Sequence, residues 1–186
     1  MTFFVIGLTG KNAAGKGTVA NILVQNKFIY HSLSDSLRDE LKILGKEETR
    51  QNLIEIGNKL RKEGGPGVLA DKMISKLGSE NNHIVDSIRN PSEVNSLREK
   101  SSFNKFILIS VDANARLRYD RLCSRGRIGD SDSWNFFVNQ EKQEENNNDP
   151  NKQQLSKTMD MADYDIDNSG TLEDLENQVK KILARL

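Results

Sequence analysis

Residues 3–18 read FFVIGLTGKNAAGKGT: seven residues that are apolar or small, then three glycines and two lysines within nine positions. A continuous apolar run bounded by glycine predicts a strand buried on both faces. Lys16–Gln25 follows with Val19, Ile22 and Leu23 at helical spacing, so the stretch reads strand, glycine turn, helix. Gly10, Gly15 and Lys16 match the spacing G-x-x-x-x-G-K. Glycines let successive N–H groups turn inward around an anion, the helix start adds partial positive charge, and the lysine reaches terminal phosphate oxygens. Gly10, Lys11, Asn12, Ala13, Ala14, Gly15, Lys16, Gly17 and Thr18 therefore read as a phosphate cradle.

The alternation continues outward from this stretch. Strand candidates follow in KFIYHSL (27–33), NHIVDSI (82–88), FNKFILISV (103–111) and ADYDIDN (162–168), with amphipathic helical segments between them. Ser34 or Ser36 is placed to cap the second helix, and Pro66 suits the first turn of the helix in PGVLADKMISKL. Five strands separated by helices predict a parallel sheet covered on both faces, because parallel neighbours need crossover connections. Ligands of such sheets bind beyond the carboxyl ends of the strands. Gly10–Thr18, Asp35–Arg38, Asp86–Arg89, Asp112 and Asn168–Gly170 all follow strand candidates and are expected to meet on one edge. Residues 125–154 are polar and rich in Asn and Gln, and read as a partly helical, mobile insert.

Composition bounds the chemistry. Lys plus Arg equal Asp plus Glu at 27 each, so bulk charge offers no attraction to nucleic acid or anionic membranes, and phosphate binding must rest on local clusters. There is no apolar run of about 18 residues, no basic leader at the start, and one cysteine, Cys123. These features predict a cytoplasmic protein without an internal disulfide or a zinc site. At 186 residues the chain has room for one domain of ordinary size.

Further candidates sit after the strands. In IVDSIRNP, Asp86 could hold magnesium through water, orient an acceptor, or cap the helix at Pro91; Arg89 could grip an acceptor phosphate or form a surface ion pair. In ARLRYDRLCSRGR, Arg118, Arg121 and Arg125 share a helical face, with Arg127 beyond, and such like charges call for a triphosphate or for partners such as Asp120 and Asp130. Arg50 and Arg61 could extend an acceptor pocket but read more readily as a solvated helix face, and His31 and His83 read as packed or edge residues.

The Gly17-Thr18 pair, where a strict pattern has Ser or Thr directly after the lysine, resembles nucleoside monophosphate kinases such as adenylate kinase. That resemblance implies that Thr18 contacts the α-phosphate, with magnesium held largely through water. It also implies that Arg121 and Arg125 stand at the entry of a lid and meet adenine and phosphate. Asp35 and Arg38 would face the acceptor, as candidate base and phosphate ligand. VIGLTGKNAAGKGTVANIL and MADYDIDNSGTLEDLENQV resemble dephospho-CoA kinases, which implies that Asn168 and Gly170 form part of an adenine pocket. The middle segments, TRQNLIEIGNKLRKEGGPGVLADKM and VDSIRNPSEVNSLR, are similar instead to a group of uncharacterised archaeal and bacterial P-loop kinases. Related modules occur attached to deoxycytidylate deaminases, and phage deoxynucleotide kinases share the style of LSDSLRDEL.

The expectation is thus a three-layer P-loop fold in one domain, with core 1–124 and 155–186 and a lid-like insert over about 125–154. The expected activity is transfer of phosphate from ATP with Mg2+ to a small acceptor. Lys16, Asp35, Asp86 and Arg125 would be catalytic, Asp86 the residue nearest the metal, and Asp35, Arg38 and Arg89 the acceptor's ligands. A (deoxy)nucleoside monophosphate is the expected acceptor. Dephospho-CoA, whose acceptor is a hydroxyl, and a nucleotide sensor without turnover are the alternatives. Neither nucleic acid nor membrane is an expected partner, and the protein is expected to be a monomer or homodimer.

Overall fold

The computed structural model describes residues 3–100, 105–126, 133–145 and 147–186. Its elements run β1 (Phe4–Gly10), α1 (Lys16–Gln25), β2 (Phe28–Ser32), α2 (Leu33–Ile43), α3 (Arg50–Gly64), α4 (Val68–Ile74) and β3 (Asn82–Asp86). They continue with α5 (Pro91–Lys100), β4 (Lys105–Asp112), α6 (Ala115–Arg125), α7 (Trp134–Glu145), α8 (Leu155–Met159), β5 (Tyr164–Asp167) and α9 (Leu172–Leu183). The strands form one sheet in the order β2-β3-β1-β4-β5, and every pairing is parallel.

Strand side chains alternate between the two faces, and both faces are dry. Ile6, Leu8, Ile84, Ile107, Ile109 and Ile166 pack with Val19 and Leu23 of α1 and Leu175, Val179 and Ile182 of α9. Val5, Val85 and Leu108 point the other way, into Leu33, Leu37 and Leu41 of α2, Ile56 of α3, Leu69 of α4 and Val94 and Leu97 of α5. The expected three-layer arrangement of a parallel sheet between helices is what the chain adopts.

This layering positions the site. The loop after β1 leads to α1 on one face, whereas the loop after β3 leads to α5 on the other. β1 and β3 are neighbours, so their exits diverge and open a crevice at their carboxyl ends, the switch point where such sheets bind ligands.

Two boundaries differ from expectation. The cap of α2 is Ser32, whose hydroxyl accepts from the Ser34 N–H, so the helix starts directly at the strand's end rather than after Ser34 or Ser36. Pro66 precedes α4 instead of lying in its first turn, because Gly67 caps the helix and Val68 opens it. The insert does carry helical structure, in α7. α7 packs on α6 through Phe137 against Tyr119 and Leu122. Residues 150–154 are tied to the loop after β3: Asn90 Nδ2 donates to the carbonyls of Pro150 and Lys152 at 2.7 and 2.9 Å, and Gln154 N–H donates to Arg89 O at 3.0 Å.

Candidate active site

The loop after β1 is built by backbone geometry that its glycines permit. Gly10 has φ +135°, and a Cβ there would stand 2.0 Å from the Val111 carbonyl oxygen of β4. Gly15 has φ +104°, and a Cβ would fall 2.1 Å from Asn168 Nδ2. Both positions exclude side chains through close approach as well as φ. At Gly17, which faces the cavity, an added Cβ meets no atom within 4 Å.

Lys16 folds back over this loop, its ammonium donating to the carbonyls of Gly10 at 2.7 Å and Lys11 at 2.8 Å. Desolvation, aided by the positive charges of Arg89 and Arg50 and opposed by Asp86 and Glu144, lowers its pKa from 10.5 to about 7. An anion placed here would favour the charged form, so the ammonium is set to respond to phosphate.

The loop opens on a cavity of about 1080 Å³. Asn12, Ala13, Gly15, Lys16, Gly17 and Thr18 form one wall, with Arg121, Arg125 and Gly126 of α6 and its C-cap beside them. Arg38, Arg50, Asp86 and Arg89, with Tyr30, Glu144 and Gln153, also line the cavity, and Arg89, Asp86, Arg50 and Glu144 lie close enough to act on the Lys16 charge. Asp86, at the carboxyl end of β3, accepts from the Ser87 N–H at 2.6 Å and from the Tyr30 hydroxyl at 3.1 Å. Burial, together with the Asp86 charge, pushes the Tyr30 hydroxyl up to about 12, so it remains a proton donor at neutral pH.

The other expected residues are placed as follows. Arg121 donates to the carbonyls of Asn168 at 2.9 Å and Ala14 at 3.5 Å, and Arg125 donates to Asn12 Oδ1 at 3.2 Å; both arginines thus brace the loop from α6. Asn168 reaches the loop from behind, Nδ2 donating to Ala14 O at 2.8 Å. Neither Asn168 nor Gly170 is among the residues lining the cavity. Lys11 turns toward Asp112, 3.6 Å away. Arg38 reaches the cavity edge while paired with Asp35 at 2.9 Å and Glu48 at 2.6 Å, and Asp35 itself is exposed and outside the lining.

Three expectations about arginines are corrected. Arg118 does not share an anion-facing surface with Arg121 and Arg125: it is buried, holds the carboxylate of Glu141 from α7, and donates to Ala113 O at 2.8 Å. Its charge is spent on joining α6 to α7. Arg50 and Arg61 are not a solvated face. Arg61 is 2% exposed and forks onto Glu93 at 3.0 and 2.8 Å, and Arg50 donates to Glu144 from Nε at 2.8 Å, with Nη2 in ion-pair contact at 2.6 Å. Arg127 and Asp130 lie outside the described residues.

Glu144 itself went unnoticed in the sequence. Its side chain is 3% exposed and accepts from Arg89 Nη1 at 2.8 Å as well as from Arg50. Burial pushes its carboxyl pKa up, but Arg50, Arg89 and Lys16 together hold it below the ordinary value. Nothing in QEKQEEN distinguishes this glutamate from its neighbours, so no sequence signal marks it. His31 and His83 pack against each other, Nε2 to Nδ1 at 3.0 Å, away from the cavity lining.

The residues present suit a nucleotide's phosphates: a backbone cradle open at Gly17, a lysine at its mouth, and arginines lining the cavity. Among the described residues no group of three or more His, Cys, Asp and Glu is arranged to hold a metal ion. Asp86 and Thr18 both line the cavity, which fits a magnesium ion that arrives on phosphate oxygens and keeps several waters. Among the described residues no helix is long and apolar enough to cross a membrane.

Comparison with known proteins agrees with this geometry. In fold, the chain is similar to TT1252 from Thermus thermophilus (23% identity, 100% of this chain and 99% of that one, TM-score 0.58). It is also similar to a gluconokinase from Sinorhizobium meliloti (14%, 100% and 94%, TM-score 0.59) and to shikimate kinase from Aquifex aeolicus (15%, 97% and 94%, TM-score 0.55). The chain shares the fold of these three structures. No family model matches the chain. In sequence it is 27% identical over 186 residues to UPF0200 protein PH1008 of Pyrococcus horikoshii, covering 98% of this chain and 97% of that protein. With a UPF0200 protein of Hyperthermus butylicus it shares 30% identity over 184 residues, 98% of its own length and 94% of the relative's. Identity at that level along nearly the whole of both chains shows that this protein belongs to the UPF0200 family.

Proposed function

We propose that the protein is an ATP-dependent small-molecule kinase whose acceptor is a (deoxy)nucleoside monophosphate. The observation that carries this reading is the number of cations lining one cavity of about 1080 Å³: Lys16, Arg121 and Arg125 around the loop after β1, and Arg50 and Arg89 from α3 and the loop after β3. The phosphates of one nucleotide need the first three only. Arg50 and Arg89 offer further guanidinium groups suited to a phosphate monoester. Similarity in fold to proteins named gluconokinase and shikimate kinase supports a small acceptor, and neither protein's own substrate is carried over.

In this reading Gly10–Thr18 holds the donor's phosphates, with Arg121 and Arg125 beside them. Magnesium bound with the nucleotide would neutralise phosphate charge, with Asp86 and Thr18 nearest to it. Lys16 follows the terminal phosphoryl group and stabilises the charge on its oxygens during transfer. Arg89 and Arg50 hold the acceptor's phosphate, and Arg38, paired with Asp35, stands at the cavity edge where the rest of the acceptor enters. An acceptor that is already a phosphate anion needs alignment more than deprotonation, which suits a site where Asp86 accepts from Tyr30 and Ser87 and Glu144 is held by Arg50 and Arg89.

The test is ADP release from purified protein with Mg-ATP against all ribo- and deoxynucleoside monophosphates and dephospho-CoA, with products identified by mass. One preferred monophosphate supports the proposal. Turnover of dephospho-CoA alone would replace the acceptor, and nucleotide binding without any acceptor-dependent ADP would make the protein a sensor.

A further inference from the structure

The Arg50–Arg89 pair is already occupied from within the chain. Glu144 takes one hydrogen bond from each of the two guanidinium groups, both at 2.8 Å, with Arg50 Nη2 in ion-pair contact at 2.6 Å, while nearly sealed from solvent. It is carried in by α7, part of the insert, and not by the sheet. The positive charge around it exceeds what it can balance. Lys16, Arg50 and Arg89 all act on Glu144, while Asp86 is the other carboxylate acting on Lys16. Among these described groups three cations face two carboxylates.

We propose that Arg50 and Arg89 form an oxyanion seat in which Glu144 is a built-in stand-in, and that a phosphate-type anion displaces it and frees the carboxyl end of α7 from the cavity. A carboxylate and a phosphate present oxygen pairs of similar spacing to guanidinium donors, so the same N–H groups serve either occupant. The two cannot sit there together, because like charges in contact inside a protein repel strongly. A dianionic phosphate also brings twice the charge to a cluster with positive charge to spare. α7 has other anchors, Phe137 on Tyr119 and, three residues before Glu144, Glu141 on Arg118, so displacement of Glu144 need not detach the helix.

This gives the acceptor side a selection rule. A neutral group cannot compete with Glu144 for two arginines, whereas a phosphate monoester can. Assigning the anion to the acceptor rests on the kinase reading above; the seat and its competition with Glu144 do not.

The test is calorimetric titration of inorganic phosphate into the full chain, comparing wild type, Glu144→Gln and the double variant Arg50→Gln/Glu144→Gln. Glu144→Gln is expected to bind phosphate at least tenfold more tightly than wild type, and the double variant is expected to lose that gain. Hydrogen exchange of residues 134–145 in the wild-type protein gives a second readout that needs no variant: phosphate should speed exchange near the helix's carboxyl end. Equal or weaker phosphate binding by folded Glu144→Gln, a gain that survives removal of Arg50, or exchange that phosphate slows or leaves unchanged would each overturn the proposal. Neither readout involves ATP or turnover. A phosphate gain without kinase activity would therefore defeat the kinase reading alone, and kinase activity without the gain would defeat this inference alone.

Discussion

Glu93 Oε1 receives both Nε and Nη2 of Arg61, at 3.0 and 2.8 Å, while its Oε2 receives the backbone N–H groups of Arg89 and Asn90 at 2.8 and 3.1 Å. One carboxylate thereby fixes the loop after β3 to α3, and it is fully buried. The position of Arg89 in the cavity depends on it. Glu93→Gln should leave Arg61 as an uncompensated buried charge and destabilise the protein by about 3–5 kcal/mol. Urea denaturation measures this, and a loss below about 1 kcal/mol would show the pair to be dispensable.

The depressed pKa of Lys16 predicts a pH-dependent affinity for nucleotide. In the free protein the lysine titrates at about 7, and bound phosphate favours its protonated form. Binding should therefore be strongest below pH 7, weaken between about pH 7 and 9, and take up a proton near pH 8. Calorimetry in two buffers of different ionisation enthalpy detects that proton; pH-independent affinity with no uptake would contradict it.

The same shift predicts a stability trend. Unfolding returns Lys16 to its ordinary value of 10.5, so the unfolded chain binds more protons between about pH 7 and 10.5. The destabilisation from this group is fully present below pH 7 and fades as the pH rises through that window. In Lys16→Met the contribution is absent. The stability difference between wild type and variant should shift in the wild type's favour from pH 7 to 9.5, as read by urea midpoints.

Gly15 and Gly17 should separate architecture from ligand contact. Gly15→Ala places a Cβ against Asn168 at a φ of +104° and should cost about 1–3 kcal/mol of stability. Gly17→Ala meets open space, should stay within about 1 kcal/mol of wild type, and should still weaken ATP binding by crowding the cradle. Equal stability losses for the two variants would contradict this division.

Arg89→Ala should raise the acceptor's KM at least tenfold with little change in that for ATP. Steady-state kinetics with each substrate varied in turn makes the comparison. An equal effect on both would move Arg89 to the donor side.

The strand, loop and helix from Phe4 to Gln25 were legible because three local signals agree: a dry apolar run, glycines where φ is positive, and helical spacing after Lys16. Asp86 and Arg89 were legible as residues at a strand end. The pairing of Arg50 with Glu144 was not. Arg50 and Glu144 lie 94 residues apart, and each sits in a helix whose charged surface looks like any solvated face. Their burial is a tertiary fact, produced when the insert folds back onto the loop after β3 through Asn90. Arg118 misled for a related reason: its helical spacing matches Arg121 and Arg125, but α7 covers it with Glu141.

Phosphoryl transfer from the Lys16 loop to an acceptor held by Arg89 is tested most directly by mass analysis of the acceptor after incubation with ATP carrying an isotopic label in its terminal phosphate, with Lys16→Met run alongside. The expected result is a labelled nucleoside diphosphate formed by the wild-type protein, and at least a hundredfold less by the variant. Label recovered only as inorganic phosphate, or unchanged transfer by Lys16→Met, would contradict it.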